Sequence, residues 1–217
     1  MARHGVPRFY PILDAGFLLR AGISVERFAR DLRAAGVRFL QYRDKDASDE
    51  LLLERAALLR EIFPASDSCL ILNDRVPLLV SAGFDGVHVG QDDVSPVEAR
   101  ALLGPGVMIG VSTHGERQLL SAADSPVDYV AIGPVFATSS KLVPDPVVGL
   151  EGVRAARALT DKPLVAIGGI GRSNCAAVIE AGADSVAVIS DLFPRAGGST
   201  GKIVEEFVLL LAPGSLY

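Results

Sequence analysis

The sequence predicts an α/β fold, and within that class a single-domain TIM (β/α)8 barrel spanning residues 1–217. Three observations lead there. Eight short apolar runs alternate with segments of helical period along the whole length. The runs are often apolar on both faces, as strands buried in a parallel sheet are. A local phrase also recurs just before a run, as Ala35-Gly36-Val37, Ala82-Gly83-Phe84 and Ala181-Gly182-Ala183. Glycine at that place suits the left-handed end of a helix. Eight αβ units in 217 residues fit a barrel. An open doubly wound sheet is the alternative.

The expected strands are 9–13, 37–41, 69–72, 86–89, 107–111, 129–132, 164–167 and 185–189. Between them, Val25, Phe28, Ala29 and Leu32 form an apolar stripe, with Ser24 as N-cap and Gly36 past the end. Ser95-Pro96 followed by Glu98 reads as a cap, a proline at the first helical position and a capping box. Ser173 is expected to cap a helix ending at Gly182. Residues 64–68 and 144–146 read as loops.

Composition narrows the function. A hydrophobic content of 49% supports a substantial core, and a net charge of −5 excludes a global basic field for nucleic acid. Any anion site must therefore be local. The first residues lead into no long apolar stretch of the secretory kind, and no run approaches the roughly 18 apolar residues of a membrane helix. The expectation is a cytoplasmic protein with no membrane partner; a homo-oligomer stays open. Cys69 and Cys175, with three histidines, give no metal-ligand spacing and no disulfide framework, so both are expected to be small buried side chains.

In a barrel of this kind chemistry gathers where the strands end, and polar residues collect there. Gln41, Arg43 and Lys45 alternate at the end of the second strand, so one side presents two cations and an amide. Two neighbouring cations call for an anion between them, and a diphosphate suits. Asp74 and Asp93 leave adjacent strands; with Arg43, Lys45 and Lys141 they point to a Mg²⁺–diphosphate site. Asp74 as an ordinary helix cap is the competing reading. Gly168-Gly169-Ile170-Gly171 and Ser190 follow the last two strands, where a separate phosphate would bind. Thr138, Ser140 and Lys141 lie in a long segment between the sixth strand and the next helix, suited to a phosphate and to the diphosphate. His88 reads as a core histidine, His114 as a residue bordering the pocket, and His4 as solvated. No serine–histidine–acid or cysteine–histidine order supports a covalent hydrolase.

Taken in order, Gln41-Tyr42-Arg43-Asp44-Lys45, Asn73-Asp74, Gly86-Val87-His88-Val89-Gly90-Gln91-Asp92-Asp93, Gly110-Val111-Ser112, Gly133-Pro134-Val135-Phe136, Thr138-Ser139-Ser140-Lys141 and Gly168-Gly169-Ile170 resemble the thiamine phosphate synthase family over almost the entire chain. The resemblance implies a transferase. It would join 4-amino-5-hydroxymethyl-2-methylpyrimidine diphosphate to 4-methyl-5-(2-phosphoethyl)thiazole, or its carboxylate, with Mg²⁺ and by a dissociative route. It implies that Gln41, Arg43, Lys45, Asn73 and Lys141 surround the pyrimidine diphosphate, that Asp74 and Asp93 hold Mg²⁺, and that Ser112 lies near the pyrimidine. Arg43, Lys45, Ser112 and Lys141 would be the catalytic groups. Thr138, Ser140, Gly169, Ile189 and Ser190 would hold the thiazole phosphate. The first strand departs from the family pattern at Leu13, where a hydroxyl is usual, and Ser140 stands where threonine is common. The alternatives are a thiazole tautomerase on the same barrel, with His114 as its proton-transfer residue, and a non-catalytic sensor of phosphate ligands.

Overall fold

The computed structural model describes residues 5–138, 146–194 and 198–213. Eight parallel strands close edge to edge in sequence order: β1 Phe9–Asp14, β2 Phe39–Arg43, β3 Cys69–Asn73, β4 Gly86–Val89, β5 Met108–Thr113, β6 Tyr129–Ile132, β7 Leu164–Ile167 and β8 Ser185–Val188. Helices α1 (Ala15–Arg20) and α2 (Val25–Ala34) follow β1. The others alternate with the strands: α3 (Asp49–Ile62), α4 (Leu79–Ala82), α5 (Pro96–Leu103), α6 (Glu116–Ala123), α7 (Gly149–Leu159), α8 (Cys175–Glu180) and α9 (Thr200–Leu210). This is the predicted barrel. Among the described residues no helix is long and apolar enough to cross a membrane.

Local chemistry accounts for most boundaries. Ser24 caps α2 by accepting from the Arg27 N–H, and Ser95 with Glu98 completes the capping box of α5. Gly36, Gly83 and Gly182 have φ of +91°, +66° and +111°, the left-handed conformation that the recurring phrase anticipates. Two expectations are corrected. Asn174, not Ser173, is the N-cap of α8, and its carboxamide is turned away from the helix: Oδ1 accepts from the Gly171 N–H and Nδ2 donates to the Gly169 carbonyl. Strand β2 begins at Phe39 rather than at residue 37. Val37 N–H still bonds to the Leu32 carbonyl of α2, and Val37 packs in the layer outside the barrel, so the chain reaches the sheet two residues later.

Side chains alternate across the barrel wall. Tyr10, Ile12, Phe39, Cys69, Ile71, Tyr129, Ala131, Val165 and Ala187 fill the interior. The alternate residues, including Leu13, Leu40, Tyr42, Leu72 and Val87, pack beneath the helices. Cys69 belongs to the first set and Cys175 to the second; both are free, buried thiols, as expected, and burial pushes Cys69 up to about 12.

One device recurs at the opposite end from the strand C-termini. Asp85, Asp128 and Asp184 each stand immediately before a strand, and each clasps one residue of the strand before it. Their N–H groups donate to the carbonyls of Leu70, Ile109 and Leu164, while their carboxylates accept from the N–H groups of those same residues at 2.7, 2.9 and 2.8 Å. An arginine from the helix that leads into the clasped strand pairs with each carboxylate: Arg60 of α3, Arg100 of α5 and Arg157 of α7. The same arginines cover carbonyls of nearby loops, so strand-entry polar groups are satisfied three times in one way. Asp128 and Arg100 are the most enclosed pair of the three. Replacing Asp128 by Ala is expected to cost about 3 kcal/mol, because it removes the side-chain acceptor of the Ile109 N–H and leaves a largely buried guanidinium without its counter-charge. Urea unfolding checks this, and a loss under about 0.5 kcal/mol, the scale of an ordinary surface substitution, contradicts it.

Candidate active site

The inward alternation continues to the C-terminal ends of the strands, where it brings Asp14, Arg43, Asn73 and Ser112 to one mouth. There a cavity of about 480 Å³ opens. One wall carries Arg43, Lys45, Asn73, Asp74 and Asp93 from the β2, β3 and β4 side. The opposite wall carries Gly168, Gly169, Ile189 and Ser190 from the β7 and β8 side. Gln41 and Ser112 form part of the floor, and Thr138 and His114 border the β5–β6 edge. Every sequence-predicted site residue in the described part of the chain therefore lines this cavity. Ser140 and Lys141 lie outside the described residues.

The cations are not left facing one another. Asp14 and Arg43 are direct neighbours in the β1–β2 register, and they form an ion pair. Asp14 also accepts from the Phe17 N–H at 2.8 Å, capping α1. Sequence reasoning did not select Asp14; the alternation Tyr10, Ile12, Asp14 was the signal available. Lys45 Nζ lies 3.3 Å from Asp74 Oδ2. Asp44, between the two cations in sequence, turns away to accept from Tyr42 and Arg55 outside the barrel. Each cation thus has its own carboxylate before any ligand arrives.

Asp74 is held in an unusual conformation. Its φ of +63° is left-handed, which costs about 1 kcal/mol or more for a residue other than glycine. Its N–H donates to the His88 carbonyl at 2.9 Å, tying the end of β3 to β4. The turn that follows, Val76–Leu78, has no side-chain cap. The carboxylate faces Asp93 and Lys45 instead, so the helix-cap reading of Asp74 fails. Asp93 is anchored by the Gly90 N–H at 2.7 Å and lies beside Asp74. Burial, and then the neighbouring Asp93 charge, hold the Asp74 carboxyl above the usual aspartate range, with Lys45 offsetting part of the effect.

Beneath the mouth lies a buried polar cluster. Because β2 runs on to Arg43 instead of ending at residue 41, Gln41 is a mid-strand residue, 3% exposed, rather than a residue at the strand end. Its Nε2 donates to the Tyr10 hydroxyl at 2.7 Å. The hydroxyls of Tyr10 and Tyr129 are 2.9 Å apart. His88 Nδ1 lies 2.9 Å from the Tyr129 hydroxyl and Nε2 lies 2.8 Å from Ser112 Oγ. His88 is therefore the core histidine expected from the sequence, with both ring nitrogens partnered; burial lowers its pKa to about 4, so it is neutral at pH 7. Strand β5 extends to Thr113, which makes Ser112 an inward strand residue rather than one beyond the strand.

Glycines shape the other wall. Gly168 and Gly169 have φ of +99° and +65°, and a Cβ on either would collide with residues 134–137. That close approach lets the Val135 and Phe136 N–H groups bond to the Ile167 and Gly168 carbonyls. Among the described residues nothing accepts from the Gly169 or Ile170 N–H, which suits a phosphate. Arg172 donates from its main chain and side chain to Asp191, clamping the loop after β7 to the loop after β8. His114 is fixed at the cavity edge by its Nδ1 contact with the Gly133 carbonyl at 2.6 Å. Leu13 packs on the outside of the barrel, so its departure from the family pattern removes nothing from the cavity.

Residues 9–192 match the family model described as thiamine monophosphate synthase. The chain belongs to this family. It is 54% identical over 189 residues to the thiamine-phosphate synthase of Koribacter versatilis (strain Ellin345), covering 86% of this chain and 89% of that relative. Identity to the thiamine-phosphate synthase of Chloroflexus aurantiacus (strain ATCC 29366 / DSM 635 / J-10-fl) is 41% over 183 residues, covering 84% of this chain and 83% of that one. Among solved structures, thiamine phosphate pyrophosphorylase from Pyrococcus furiosus superposes with a TM-score of 0.82 at 29% identity, over 94% of this chain and 95% of that one.

For this member of the thiamine monophosphate synthase family, the aspartate pair sets a stability expectation. Asp93→Asn keeps an oxygen for the Gly90 N–H and removes a like charge from Asp74. In metal-free buffer at neutral pH the variant should melt above the wild type. A carboxyl whose pKa is raised by folding costs stability once pH rises through that value, so the gap should widen with rising pH and close in acid. Thermal unfolding across pH measures it; a variant melting at or below the wild type at neutral pH contradicts it.

Proposed function

We propose that this barrel joins 4-amino-5-hydroxymethyl-2-methylpyrimidine diphosphate to 4-methyl-5-(2-phosphoethyl)thiazole, or its carboxylate, giving thiamine phosphate and diphosphate. The observation that carries this reading is one cavity with two different anion-binding walls. The charged wall of Arg43, Lys45 and Asp74–Asp93 suits a diphosphate that departs. The glycine wall with Ser190 suits a phosphate that stays bound. Family membership supports the same assignment.

Arg43 and Lys45, preset by Asp14 and Asp74, take up the charge that grows on the departing diphosphate, and Asn73 hydrogen-bonds beside them. Gln41 and Ser112 meet the pyrimidine from the floor. Thr138, Ser140, Gly169, Ile189 and Ser190 hold the thiazole phosphate, which brings the thiazole nitrogen to the pyrimidine methylene carbon. Lys141 completes the diphosphate set. The pyrimidine methyl cation formed when diphosphate leaves is captured by that nitrogen, and no protein nucleophile is needed.

Asp74 and Asp93 fit a hard divalent cation. They are two oxygen donors in contact, and their mutual repulsion is the kind a dication relieves. Among the described residues no further His, Cys, Asp or Glu forms a cluster of three with them, so Mg²⁺ there would draw its remaining ligands from water and substrate. When bound it would neutralise diphosphate charge as a Lewis acid.

A tautomerase would have no use for the cation–carboxylate pairs. Diphosphate release, followed with each substrate alone and with both, in the presence and absence of Mg²⁺, tests the reading. Release should require both substrates and the metal. Arg43→Ala and Asp93→Ala should each lower the rate by about 100-fold or more, with circular dichroism unchanged. Near-normal turnover in both variants refutes the site. Aromatisation of the thiazole carboxylate phosphate without any pyrimidine substrate would establish the tautomerase.

A further inference from the structure

Five side chains from five strands form a continuous hydrogen-bonded line through the barrel, from Gln41 through Tyr10, Tyr129 and His88 to Ser112. We propose that Tyr10 and Tyr129 are positioning residues that act through His88 to lock the Ser112 hydroxyl as a hydrogen-bond donor into the cavity. The inference rests on the synthase reading for its kinetic consequence, but not for its structural one.

The direction of the line follows from counting protons. The Tyr10 oxygen receives an N–H from Gln41. Its own proton then has one remaining partner, the Tyr129 oxygen. Having accepted that proton, Tyr129 directs its own toward His88 Nδ1. A neutral imidazole that accepts at Nδ1 carries its proton on Nε2, which faces Ser112 Oγ. Ser112 therefore accepts from His88, and its own proton is left to point into the cavity. The reverse polarity would leave the Tyr10 proton without an acceptor among the described residues, at a side chain that is 1% exposed.

The sequence makes room for this line. His88, Gly110 and Tyr129 lie side by side in the β4–β5–β6 register. A Cβ on Gly110 would overlap the Tyr129 ring, so the glycine lets that ring reach across β5 to His88. The two rings lie with centroids 5.5 Å apart and 25° between their planes. Neither tyrosine lines the cavity. Tyr129 touches the line only at Tyr10 and His88, so its effect on Ser112 passes through His88, while Tyr10 also holds Gln41.

Polarity matters because the groups Ser112 meets are acceptors. Ring nitrogens and diphosphate oxygens take a proton donor, and an oxygen whose bond to carbon is breaking takes it more strongly. An untethered serine could point its proton back at His88 Nε2. A relay that supplies Ser112 with a proton from His88 removes that alternative before substrate binds.

Two measurements test the relay. Histidine-selective ¹⁵N labelling resolves the tautomers, since the chain has only three histidines. Wild-type His88 should be the pure Nε2–H tautomer, and Tyr129→Phe should abolish that purity. In steady-state diphosphate release, Tyr129→Phe should lower kcat about tenfold, the usual scale for a group that orients a reacting one, with KM little changed. The double variant Ser112→Ala/Tyr129→Phe should be no slower than Ser112→Ala alone, because both act through one hydroxyl. If Tyr129→Phe does not fold, Tyr10→Phe is read by the His88 tautomer, which should lose its purity, because this variant also removes the acceptor of Gln41 and its kinetics would report both groups. A wild-type Nδ1–H tautomer, an unchanged kcat in the phenylalanine variant, or losses that multiply in the double variant would overturn the proposal. A wild type that releases no diphosphate would refute the synthase reading instead, while the tautomer measurement would still decide the relay.

Discussion

Closure of eight parallel strands into one barrel gives every strand an inward and an outward face, and the rest of this structure depends on which residues fall on which. Along β1 the inward set is Tyr10, Ile12 and Asp14; along β2 it is Phe39, Gln41 and Arg43. The β2 set passes from apolar Phe39 through polar Gln41 to charged Arg43, and the β1 set likewise ends on a charge, at Asp14. A shift of one residue would exchange Arg43 for Tyr42 at the mouth and place a guanidinium beneath the helices. The aspartate–arginine clasps at the strand entries oppose a shift of the same kind between β3 and β4, β5 and β6, and β7 and β8. Each binds a main-chain N–H and carbonyl of one particular residue in the preceding strand.

The two ends of the barrel use the same ion-pair chemistry for different purposes. At the strand entries, carboxylates are consumed by arginines and main-chain N–H groups and stay that way. At the mouth, Arg43 and Lys45 are paired with Asp14 and Asp74 in a cavity open to ligand. These pairs hold the cations in place in the absence of diphosphate and spare the apo protein an uncompensated positive cluster. The left-handed Asp74, pressed against Asp93, is the point where local stability is given up for a site. Preorganisation of this kind suits a reaction in which charge leaves one centre and a second substrate must already be aligned.

The polar line from Gln41 to Ser112 joins core and site. Tyrosines buried in a barrel must place their hydroxyls somewhere, and here each satisfies the next until the last group opens on the cavity. Gly110 illustrates how a single small residue can serve this arrangement. In the sequence it sits in an apolar strand and resembles an ordinary glycine before Val111-Ser112; in the fold it is the gap through which two rings meet.

Much was determined by the sequence alone. The eight-unit repeat, the caps at Ser24 and Ser95, the glycine-ended helices and the cluster of site residues at strand ends all follow from spacing and residue type, because these are local properties. The pairing of particular side chains was not legible. Asp14 is 29 residues from Arg43, and Tyr10 is 119 from Tyr129; only the strand register makes them neighbours. The start of β2 was misplaced because the reach from α2 to the barrel depends on where Val37 packs, and Ser173 was misjudged because the glycine loop claims Asn174. The sequence by itself thus determined which groups are present and which segments carry them. The tertiary structure decided which cation meets which carboxylate, because closure of the barrel brings together residues that no local spacing relates.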